Sequence, residues 1–445
     1  MKRRLDCTCI AKLERDEFVG IRSKNGEPQI SFPLGYFKDD KELQSTPEDA
    51  LRACILNLFD VLSDEMLSNA NRASQLSDSP SEESDDRFPM RAYIDVLRNY
   101  LEFGFYRERE TELKRGAHGK IHWGRTIKTT RPMASGHNVI YLNPLARHID
   151  YNENELITQI HKFCVRDAVQ RLGFIFGIDA SEEPVIDFDA ELFLSVLHAK
   201  IARTFNDRNL QLFGNLQKIV TYLSGEKVRD PSDQNDFFFG VEKFETVWEA
   251  MLDRIFGNLN PGESKEDFYP HCYWEFEKPH EDAERTTEDA DKKNTKNTMR
   301  PDTIMRQKDS SGADEIFVLD AKFYTRGVAP KEGTLPPSDS ITKQIVYAEY
   351  IEIEEKKFGV DGSHIYNAFL LPYSAESASE NSNPYKMKYF GHAYGDWKNG
   401  PDSKNSRPYH KIAGIYLDVK AVMGNYHSSP EAQRTLAEEV RKRPT

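Results

Sequence analysis

The chain has 445 residues, which is enough for two or three domains of about 100–200 residues each. Hydrophobic residues make up 38% of it and aromatic residues 11%, so the chain can fill sizeable cores and is globular rather than disordered. The formal net charge of −13 argues against a generally basic nucleic-acid coat protein. It does not exclude a nuclease, because catalytic carboxylates are themselves acidic.

The cysteines and the N-terminus indicate the cellular compartment. Five cysteines, an odd number with no C-x-x-C pair, are typical of reduced thiols rather than of disulfides or a structural zinc site. The basic N-terminus is not followed by an apolar segment, so no signal peptide is expected. No run approaches the roughly 18 consecutive apolar residues of a membrane span. These features predict a cytoplasmic protein without a membrane anchor.

The first half of the chain changes character along its length. Residues 47–70 open with a helix-start signal and continue with helical spacing. Residues 90–145 are predicted to be largely β, from short alternating segments at 119–132 and 138–144 that Gly and Pro bound. Residues 153–225 carry apolar residues at three- and four-residue intervals, which predicts helices throughout.

Polar segments at 75–88, 281–298 and 374–384 are rich in Ser, Asp and Glu and poor in large apolar residues, which predicts surface insertions. From about residue 238 helices and strands alternate, with a buried strand at 364–374. We therefore predict an α+β or α/β protein with three regions: a mixed α/β region at 1–145, a helical region at 146–235, and a mixed β-sheet flanked by helices at 236–445.

Residues 244–257, FETVWEAMLDRIFG, are predicted to form an amphipathic helix. Its apolar residues recur at three- and four-residue spacing: Phe244, Val247, Trp248, Met251, Leu252 and Ile255. Glu245 and Glu249 lie four residues apart on one flank of the apolar stripe, so either could reach over a sheet as a catalytic acid. An ordinary solvated helix edge is an equally good interpretation of each glutamate.

The segment IFVLDAKFY is predicted to be a buried strand that carries two opposite charges. Because side chains alternate between the faces of a strand, Leu319, Ala321 and Phe323 point into a core, and Asp320 and Lys322 lie side by side on the other face. That arrangement suits a carboxylate that holds a metal and a lysine that positions the attacking water. An ion pair on an edge strand is the structural alternative, and the tripeptide alone favours it.

A second aspartate precedes this strand. Asp302 follows Pro301, and the segment KDSSGADE between it and Asp320 predicts a hairpin turn. A hairpin would bring Asp302 beside Asp320, so that two carboxylates share one divalent ion. Magnesium prefers such a site, with few protein oxygens and several waters or phosphate oxygens. The alternative for Asp302 is a turn-capping aspartate.

Residues 338–355 are predicted to form a helix that Asp339 or Ser340 caps. Three polar side chains lie within one turn of its body: Lys343, Gln344 and Tyr347. A lysine and a glutamine beside a carboxylate pair suit a phosphodiester backbone, because one supplies charge and the other orientation. A solvated helix surface is the alternative.

The order of a helical Glu, Pro-Asp, Asp-x-Lys and a Lys-Gln helix is the layout of the PD-(D/E)XK nuclease fold. The set FETVWEAML, RPDTI, FVLDAKFY and ITKQIVYAEY resembles the LlaJI-type restriction endonucleases, which are similar to the McrC nuclease subunit of modification-dependent restriction systems. The upstream segment GKIHWGRTIKTTRP…NVIYLNP is similar to a segment of the same family. The resemblance covers about residues 100–420, and it implies that residues 236–445 form a PD-(D/E)XK domain.

The resemblance implies a metal site. It assigns Asp302 and Asp320 as ligands of Mg²⁺, with the backbone carbonyl of Ala321 beside them. It assigns the helical acid at the metal to Glu249, although the helix angle alone slightly favours Glu245.

The resemblance also implies that Lys322 is the catalytic lysine, and Gln344 matches the family's helix after the lysine strand. The implied function is a Mg²⁺-dependent endonuclease that cuts double-stranded DNA, as one subunit of a site- or modification-dependent restriction system for anti-phage defence. A double-strand cut usually needs two nuclease sites, so dimerisation is compatible with this function.

The implied partner is a McrB-like AAA+ subunit that hydrolyses GTP, with the N-terminal half of this chain docking into its ring. The sequence itself contains no G-x-x-x-x-G-K-[ST] motif. The central region also contains four basic residues, Lys120, Arg125, Lys128 and Arg131. They could face that partner or DNA, or they could form a solvated strand face. Two other functions fit the same features, a repair or recombination nuclease of the same fold and a non-cutting adaptor that activates an AAA+ partner.

Overall fold

A computed structural model describes residues 5–11, 18–24, 26–76, 88–116, 120–135, 138–152, 155–179, 182–226, 236–272, 298–328, 334–375, 383–398 and 406–442. Most residues of the three predicted insertions lie outside these ranges. The strands are β1 Thr8–Ala11, β2 Val19–Lys24, β3 Glu27–Phe32, β4 Glu108–Arg115, β5 Lys120–Ile121, β6 Met133–Ser135, β7 Asn138–Ile140, β8 Leu145–Asn152, β9 Phe237–Val241, β10 Thr303–Lys308, β11 Asp314–Ala321, β12 Ile365–Tyr373, β13 Lys388–Ala393 and β14 Ile412–Asp418. The helices are α1 Asp40–Ser45, α2 Glu48–Leu76, α3 Met90–Phe103, α4 Trp123–Thr129, α5 Leu156–Phe176, α6 Ala190–Ile201, α7 Asp207–Glu226, α8 Phe244–Phe256, α9 Ser338–Ile353, α10 Glu355–Phe358, α11 Val419–Gly424 and α12 Pro430–Arg441.

The chain divides into two compact units. The C-terminal unit comprises residues 7–22, 27–78 and 238–445, and the middle unit comprises residues 1–6, 23–26 and 79–237. This grouping differs from the three consecutive regions predicted from the sequence, because an N-terminal segment packs with the C-terminal half. The mixed α and β content agrees with the predicted fold class.

A five-stranded mixed sheet forms the centre of the C-terminal unit, in the order β10-β11-β12-β14-β13. Strands β11, β12 and β14 are parallel, while β10 and β13 run antiparallel to their neighbours. Helix α8 packs against β10 and β11, and α9 packs against β11 and β12. The sheet is therefore mixed and flanked by helices, as the PD-(D/E)XK prediction requires.

Helix α8 follows the predicted amphipathic pattern, since all six residues of the apolar stripe are buried. Phe323 packs against the rings of Phe244 and Trp248, at centroid distances of 5.4 and 5.8 Å. Burying side chains of this size stabilises the fold by roughly 1.5–3 kcal/mol each. These contacts place α8 on the face of the sheet opposite to Asp320.

Helix α9 covers the other face of the sheet. Ile316 and Val318 of β11 pack there against Ala348 and Ile351 of α9, and all four are buried. Because side chains alternate along β11, Asp320 lies on this face with Ile316 and Val318. The α9 face is therefore the one that carries the predicted catalytic carboxylate.

A second sheet has the order β1-β3-β2-β9 and joins residues more than 200 positions apart. Gly20 and Gly240 allow the backbones of β2 and β9 to approach closely. A Cβ at Gly20 would lie 2.2 Å from the carbonyl oxygen of Phe239, and a Cβ at Gly240 would lie 2.2 Å from that of Val19. Pairing at this distance holds the N-terminal segment in the C-terminal unit.

The middle unit contains α3, α5, α6 and α7, which pack against one another, and a sheet in the order β4-β8-β5. The predicted helices at 153–225 are confirmed. The prediction that residues 90–145 are largely β is wrong at two places, because α3 and α4 are helices. Helix α3 buries Met90, Tyr93, Ile94 and Leu97, which is a helical spacing. No helix in the described part of the chain is long and apolar enough to span a membrane.

Candidate active site

The β10–β11 hairpin brings Asp302 and Asp320 together. Thr303 pairs with Leu319, so Asp302, which directly precedes β10, lies opposite Asp320. Asp302 is fixed there because its Oδ2 accepts a hydrogen bond of 3.0 Å from the backbone N–H of Ala321. The predicted hairpin and the proximity of the two carboxylates are confirmed by this geometry.

Lys322 lies beside Asp320 as the strand alternation predicts. Its Nζ donates a hydrogen bond of 2.9 Å to Asp320 Oδ1, and its backbone N–H donates one of 3.0 Å to the carbonyl of Leu370. The two side chains are thus an ion pair, but β11 is the second strand of the sheet and not an edge strand. The edge-strand explanation of the pair is therefore wrong.

The ionisation of this cluster is unusual. Burial, a hydrogen bond with Asp302 and the charge of Asp302 raise the pKa of Asp320 to about 8, against the opposing effect of Lys322. Burial lowers the pKa of Lys322, but the charges of Asp320 and Asp302 outweigh it, so that this pKa is raised. Ionisation of both carboxylates beside one lysine would leave an excess of negative charge, so Asp320 keeps its proton near neutral pH unless a cation neutralises the pair.

Glu249 of α8 lies near enough to Asp302 and Lys322 for their charges to act on its carboxyl group. Burial raises the pKa of Glu249 to about 7, and the charge of Asp302 adds to this effect while Lys322 opposes it. Glu245 is also half-buried and lies one turn earlier. In the described residues no group of three or more His, Cys, Asp and Glu side chains is arranged to hold a metal ion. Glu249 therefore lies near the aspartates without forming a three-carboxylate cage with them.

The donor set fits magnesium. The Asp302 and Asp320 carboxylates supply hard oxygen atoms from two adjacent strands, and Mg²⁺ is commonly held by one or two carboxylates with water in its other positions. Burial first and the neighbouring Asp302 second raise the pKa of Asp320, so its ionised form is disfavoured where no cation lies beside it. The assignment of Ala321 and Glu249 as further ligands stays a prediction.

Comparisons with known proteins give the family. A model of the LlaJI restriction endonuclease family matches residues 18–390. The chain belongs to this family. The family prediction from the catalytic motifs is thereby confirmed.

A curated relative of this LlaJI family member is the "Type II restriction enzyme BsuMI component YdjA" of Bacillus subtilis (strain 168). It is 25% identical over 293 residues, which cover 64% of this chain and 57% of the relative. The chain thus matches little more than half of the relative's length. A solved structure, a half-complex of Thermococcus gammatolerans McrB AAA+ hexamers with bound McrC, shows 15% identity and a TM-score of 0.35, over 95% of this chain and 82% of the compared chain.

Helix α9 of this LlaJI family member presents Gln344 to the sheet. Gln344 is fully buried, and its side-chain amide has no hydrogen-bond partner among the described residues. Its backbone carbonyl accepts a hydrogen bond from Asn367 Nδ2, and Asn367 pairs with Val318, two residues before Asp320. A buried amide without hydrogen-bond partners is costly. The assignment of Gln344 to the catalytic site stays a prediction.

The predicted caps of α9 are wrong, and the predicted polar set divides between two sides of the helix. Asp339 and Ser340 do not cap the helix, because its first residue is Ser338 and the N-cap is Pro337, without a side-chain cap. Lys343 is exposed and pairs with Asp339 at 3.9 Å, on the side away from the sheet. Of the predicted polar set, only Gln344 and Tyr347 are buried on the side of α9 that faces the sheet.

Tyr347 lies near the two aspartates, although the sequence did not indicate a role for it at the site. Burial and the charges of Asp320 and Asp302 raise the pKa of its hydroxyl. That hydroxyl donates a hydrogen bond of 2.9 Å to the carbonyl of Arg300, two residues before Asp302. The three-residue spacing from Gln344 to Tyr347 was the available signal, since it places both on one helix face.

The four basic residues of the central region, Lys120, Arg125, Lys128 and Arg131, are all exposed. They do not share a strand face, because Arg125 and Lys128 belong to α4. They lie in the middle unit.

Proposed function

We propose that the chain is the DNA-cleaving subunit of a restriction system and that it hydrolyses phosphodiester bonds with Mg²⁺ at the Asp302–Asp320 pair. The observation that carries this proposal is the cluster at the end of the β10–β11 hairpin, where two carboxylates and a lysine meet on one face. Membership of a restriction endonuclease family supports the same chemistry.

The carboxylates of Asp302 and Asp320 would hold Mg²⁺, with the carbonyl of Ala321. When bound, Mg²⁺ supplies charge neutralisation at the scissile phosphate and activates a water. Asp320 would hold the metal in its ionised form, and Lys322, which donates to Asp320 Oδ1 here, keeps a cation beside that carboxylate.

Lys322 then has the role of orienting the attacking water or stabilising the charge that develops on the phosphate. Its raised pKa keeps it protonated at neutral pH, which favours charge stabilisation over proton abstraction. Glu249, with a pKa of about 7, can hold or release a proton near neutral pH. Gln344 is fully buried, so we assign it a supporting role within the protein rather than a contact with DNA.

We further propose that cleavage of double-stranded DNA requires an AAA+ partner that hydrolyses GTP. This part of the proposal rests on the sequence resemblance. Exposed apolar side chains of the middle unit accompany the basic ones there and offer a surface for such a contact: Trp123, Ile127, Met133, Val139 and Leu142.

One assay separates the three functions. Supercoiled plasmid and linear DNA are incubated with the purified chain and Mg²⁺, with and without the neighbouring AAA+ subunit and GTP or ATP. Nucleotide-dependent double-strand cuts at internal sites support restriction. Degradation from ends alone supports a repair nuclease, and the absence of cutting under every condition supports an adaptor. The Asp302→Asn variant is the control for a contaminating nuclease.

A further inference from the structure

The α9 face of the five-stranded sheet continues beyond the candidate active site. Helix α9 packs on this face against β11 and β12. Helix α12 packs against β13 and β14 and also against α8, so it lies on the opposite face. The β14–β13 half of the α9 face is lined instead by half-buried aromatic side chains.

Three aromatic rings lie there in a stack. The rings of Phe390 and Tyr416 are stacked at 4.0 Å with an interplanar angle of 16°, and those of Tyr416 and Tyr373 at 5.7 Å with 27°. All three side chains are partly exposed to solvent. Near-parallel rings that solvent can reach offer flat surfaces to another aromatic group.

Strand pairing sets the distance between the aromatic stack and the carboxylates. A Cβ at Gly414 would lie 2.4 Å from the ring of Phe390, so this ring lies over Gly414. Gly414 pairs with Phe369, and Phe369 pairs with Asp320. Two strand spacings therefore separate Asp320 from the Phe390 ring, which is roughly 10 Å.

Two irregularities of the backbone position this stack. The register of β13 shifts between Tyr389 and Gly391, so that Phe390 occupies a β-bulge, a device that redirects a side chain. Tyr385 and Lys386 have positive φ angles of 56° and 49°, a strained conformation for residues other than glycine. Tyr373 Oη donates a hydrogen bond of 2.5 Å to the carbonyl of Lys386 and so holds this turn beneath the stack.

Cations flank the aromatic rings. Lys388 pairs with Tyr416 in the sheet, lies on the same face and is exposed. Arg326 directly precedes Gly327, where a Cβ would lie 3.0 Å from the ring of Tyr416, and its charge lowers the pKa of the Tyr416 hydroxyl while burial raises it. Aromatic rings between cations, beside a phosphodiester-cleaving site, are the combination that binds a single nucleic-acid strand by stacking and phosphate contacts.

We propose that Tyr373, Tyr416 and Phe390 form a stacking surface for unpaired bases of the DNA strand next to the scissile phosphate, with Arg326 and Lys388 at its phosphates. This inference rests on the proposed nuclease function and adds its substrate form, a locally opened strand rather than an intact duplex. Bases within a duplex are stacked on one another and cannot reach a flat ring in this way.

Binding in EDTA tests the surface without any cleavage. Fluorescence anisotropy measures the affinity of the full chain for a fluorescein-labelled 15-nucleotide oligothymidine and for a blunt hairpin duplex. We expect Phe390→Leu to weaken binding to the oligothymidine about five- to tenfold, the usual effect of losing one stacked base, and binding to the duplex by less than twofold. Tyr366→Leu is the matched control, because Tyr366 is half-buried and stacks on Phe317 at 4.9 Å on the opposite face.

A second variant does not depend on the packing of Phe390. Lys388→Gln changes only an exposed side chain, and it should reduce the slope of log affinity against log salt by about 0.7 for the oligothymidine. Three results would each overturn the proposal and leave a protein contact as the use of this face. They are unchanged binding by Phe390→Leu, an equal loss of affinity in Tyr366→Leu, and failure of the wild-type chain to bind the oligothymidine.

Cleavage is measured in a separate assay. A chain that cuts plasmid while Phe390→Leu binds as the wild type keeps the nuclease assignment and loses this surface. A chain that never cuts but shows the expected binding differences keeps this surface and loses the nuclease assignment.

Discussion

The β10–β11 hairpin has a buried carboxylate near each end, and the two carboxylates have opposite electrostatic surroundings. At one end, Glu315 is 2% exposed and makes two hydrogen bonds to the guanidinium of Arg441. At the other end, Asp320 is 7% exposed and lies against a second carboxylate, with one lysine for both. The first arrangement satisfies its charges within the protein, and the second does not. Since both lie on the same strand, the difference shows that electrostatic imbalance here is local to the candidate active site, as expected where function costs stability.

The largest expected effect is on catalysis at the unbalanced end. Lys322→Met removes the positioned cation and should lower the single-turnover rate of plasmid cleavage at least about a hundredfold. Lys308→Met, at an exposed lysine of β10, is the control and should stay within twofold of the wild type. A Lys322→Met enzyme that cuts as fast as the control would remove Lys322 from the mechanism.

At the balanced end the expected effect is on stability. Glu315→Gln leaves the guanidinium of Arg441 without its charge partner and should lower the free energy of unfolding by about 2 kcal/mol, because that guanidinium is partly exposed and can regain water. Asp314→Asn, which breaks an exposed pair with Lys308, should cost less than about 0.5 kcal/mol. Urea denaturation of both variants measures the difference, and equal costs would contradict the contrast between buried and exposed pairs.

The middle unit offers a third kind of buried group, a neutral one. Burial lowers the pKa of His161 to about 4, and its Nδ1 accepts a hydrogen bond from the backbone N–H of Tyr106. The His161 imidazole takes up a proton near pH 6.5 in the unfolded chain but only near pH 4 in the folded chain. The free energy of unfolding therefore falls as the pH falls from 6.5 to 4, by about 2 kcal/mol at pH 5. His161→Gln should lack the loss of unfolding free energy that His161 causes in the wild type between pH 6.5 and pH 4. His198→Gln, which changes an exposed histidine, should show the same loss as the wild type. Other titrating groups are common to all three proteins and cancel in the comparison.

The smallest expected effect is a gain of stability at the unbalanced end. In EDTA, Asp320→Asn should raise the free energy of unfolding by about 1 kcal/mol, because the variant no longer buries an ionisable group against Asp302. A raised folded pKa means that the wild-type chain loses stability as the pH rises towards about 8, so the advantage of the variant should widen over the same range. Thermal unfolding at pH 6 and pH 8.5 measures it, and a destabilised variant would show that Asp320 is structural.

The sequence predicted the site best where the signal is local. The alternation around Asp320 and Lys322, the turn after Asp302 and the apolar stripe of α8 each follow from a few neighbouring residues, and the structure has all three. The sequence did not predict which side of α9 faces the sheet, because tertiary packing sets the rotation of a helix about its axis. The structure buries Gln344 and Tyr347 and exposes Lys343.

Local patterns in the sequence do not predict which distant strands pair. The joining of β2 to β9 depends on Gly20 and Gly240 approaching across more than 200 residues, and no local pattern encodes that partner choice. Helix α4 was missed because it is short and contains threonines, which favour strands. Its buried Thr126 is held by the backbone N–H of Leu145, which donates to the hydroxyl at 2.9 Å, so a tertiary contact fixes the helix.

The most direct test of the central claim is plasmid cleavage by Asp320→Asn, measured with Mg²⁺ and with the AAA+ subunit and nucleotide that support wild-type cutting. The variant keeps the shape of the side chain and removes the charge that would hold the metal. We predict a folded protein with no detectable cleavage. Cleavage at the wild-type rate would contradict the assignment of this site.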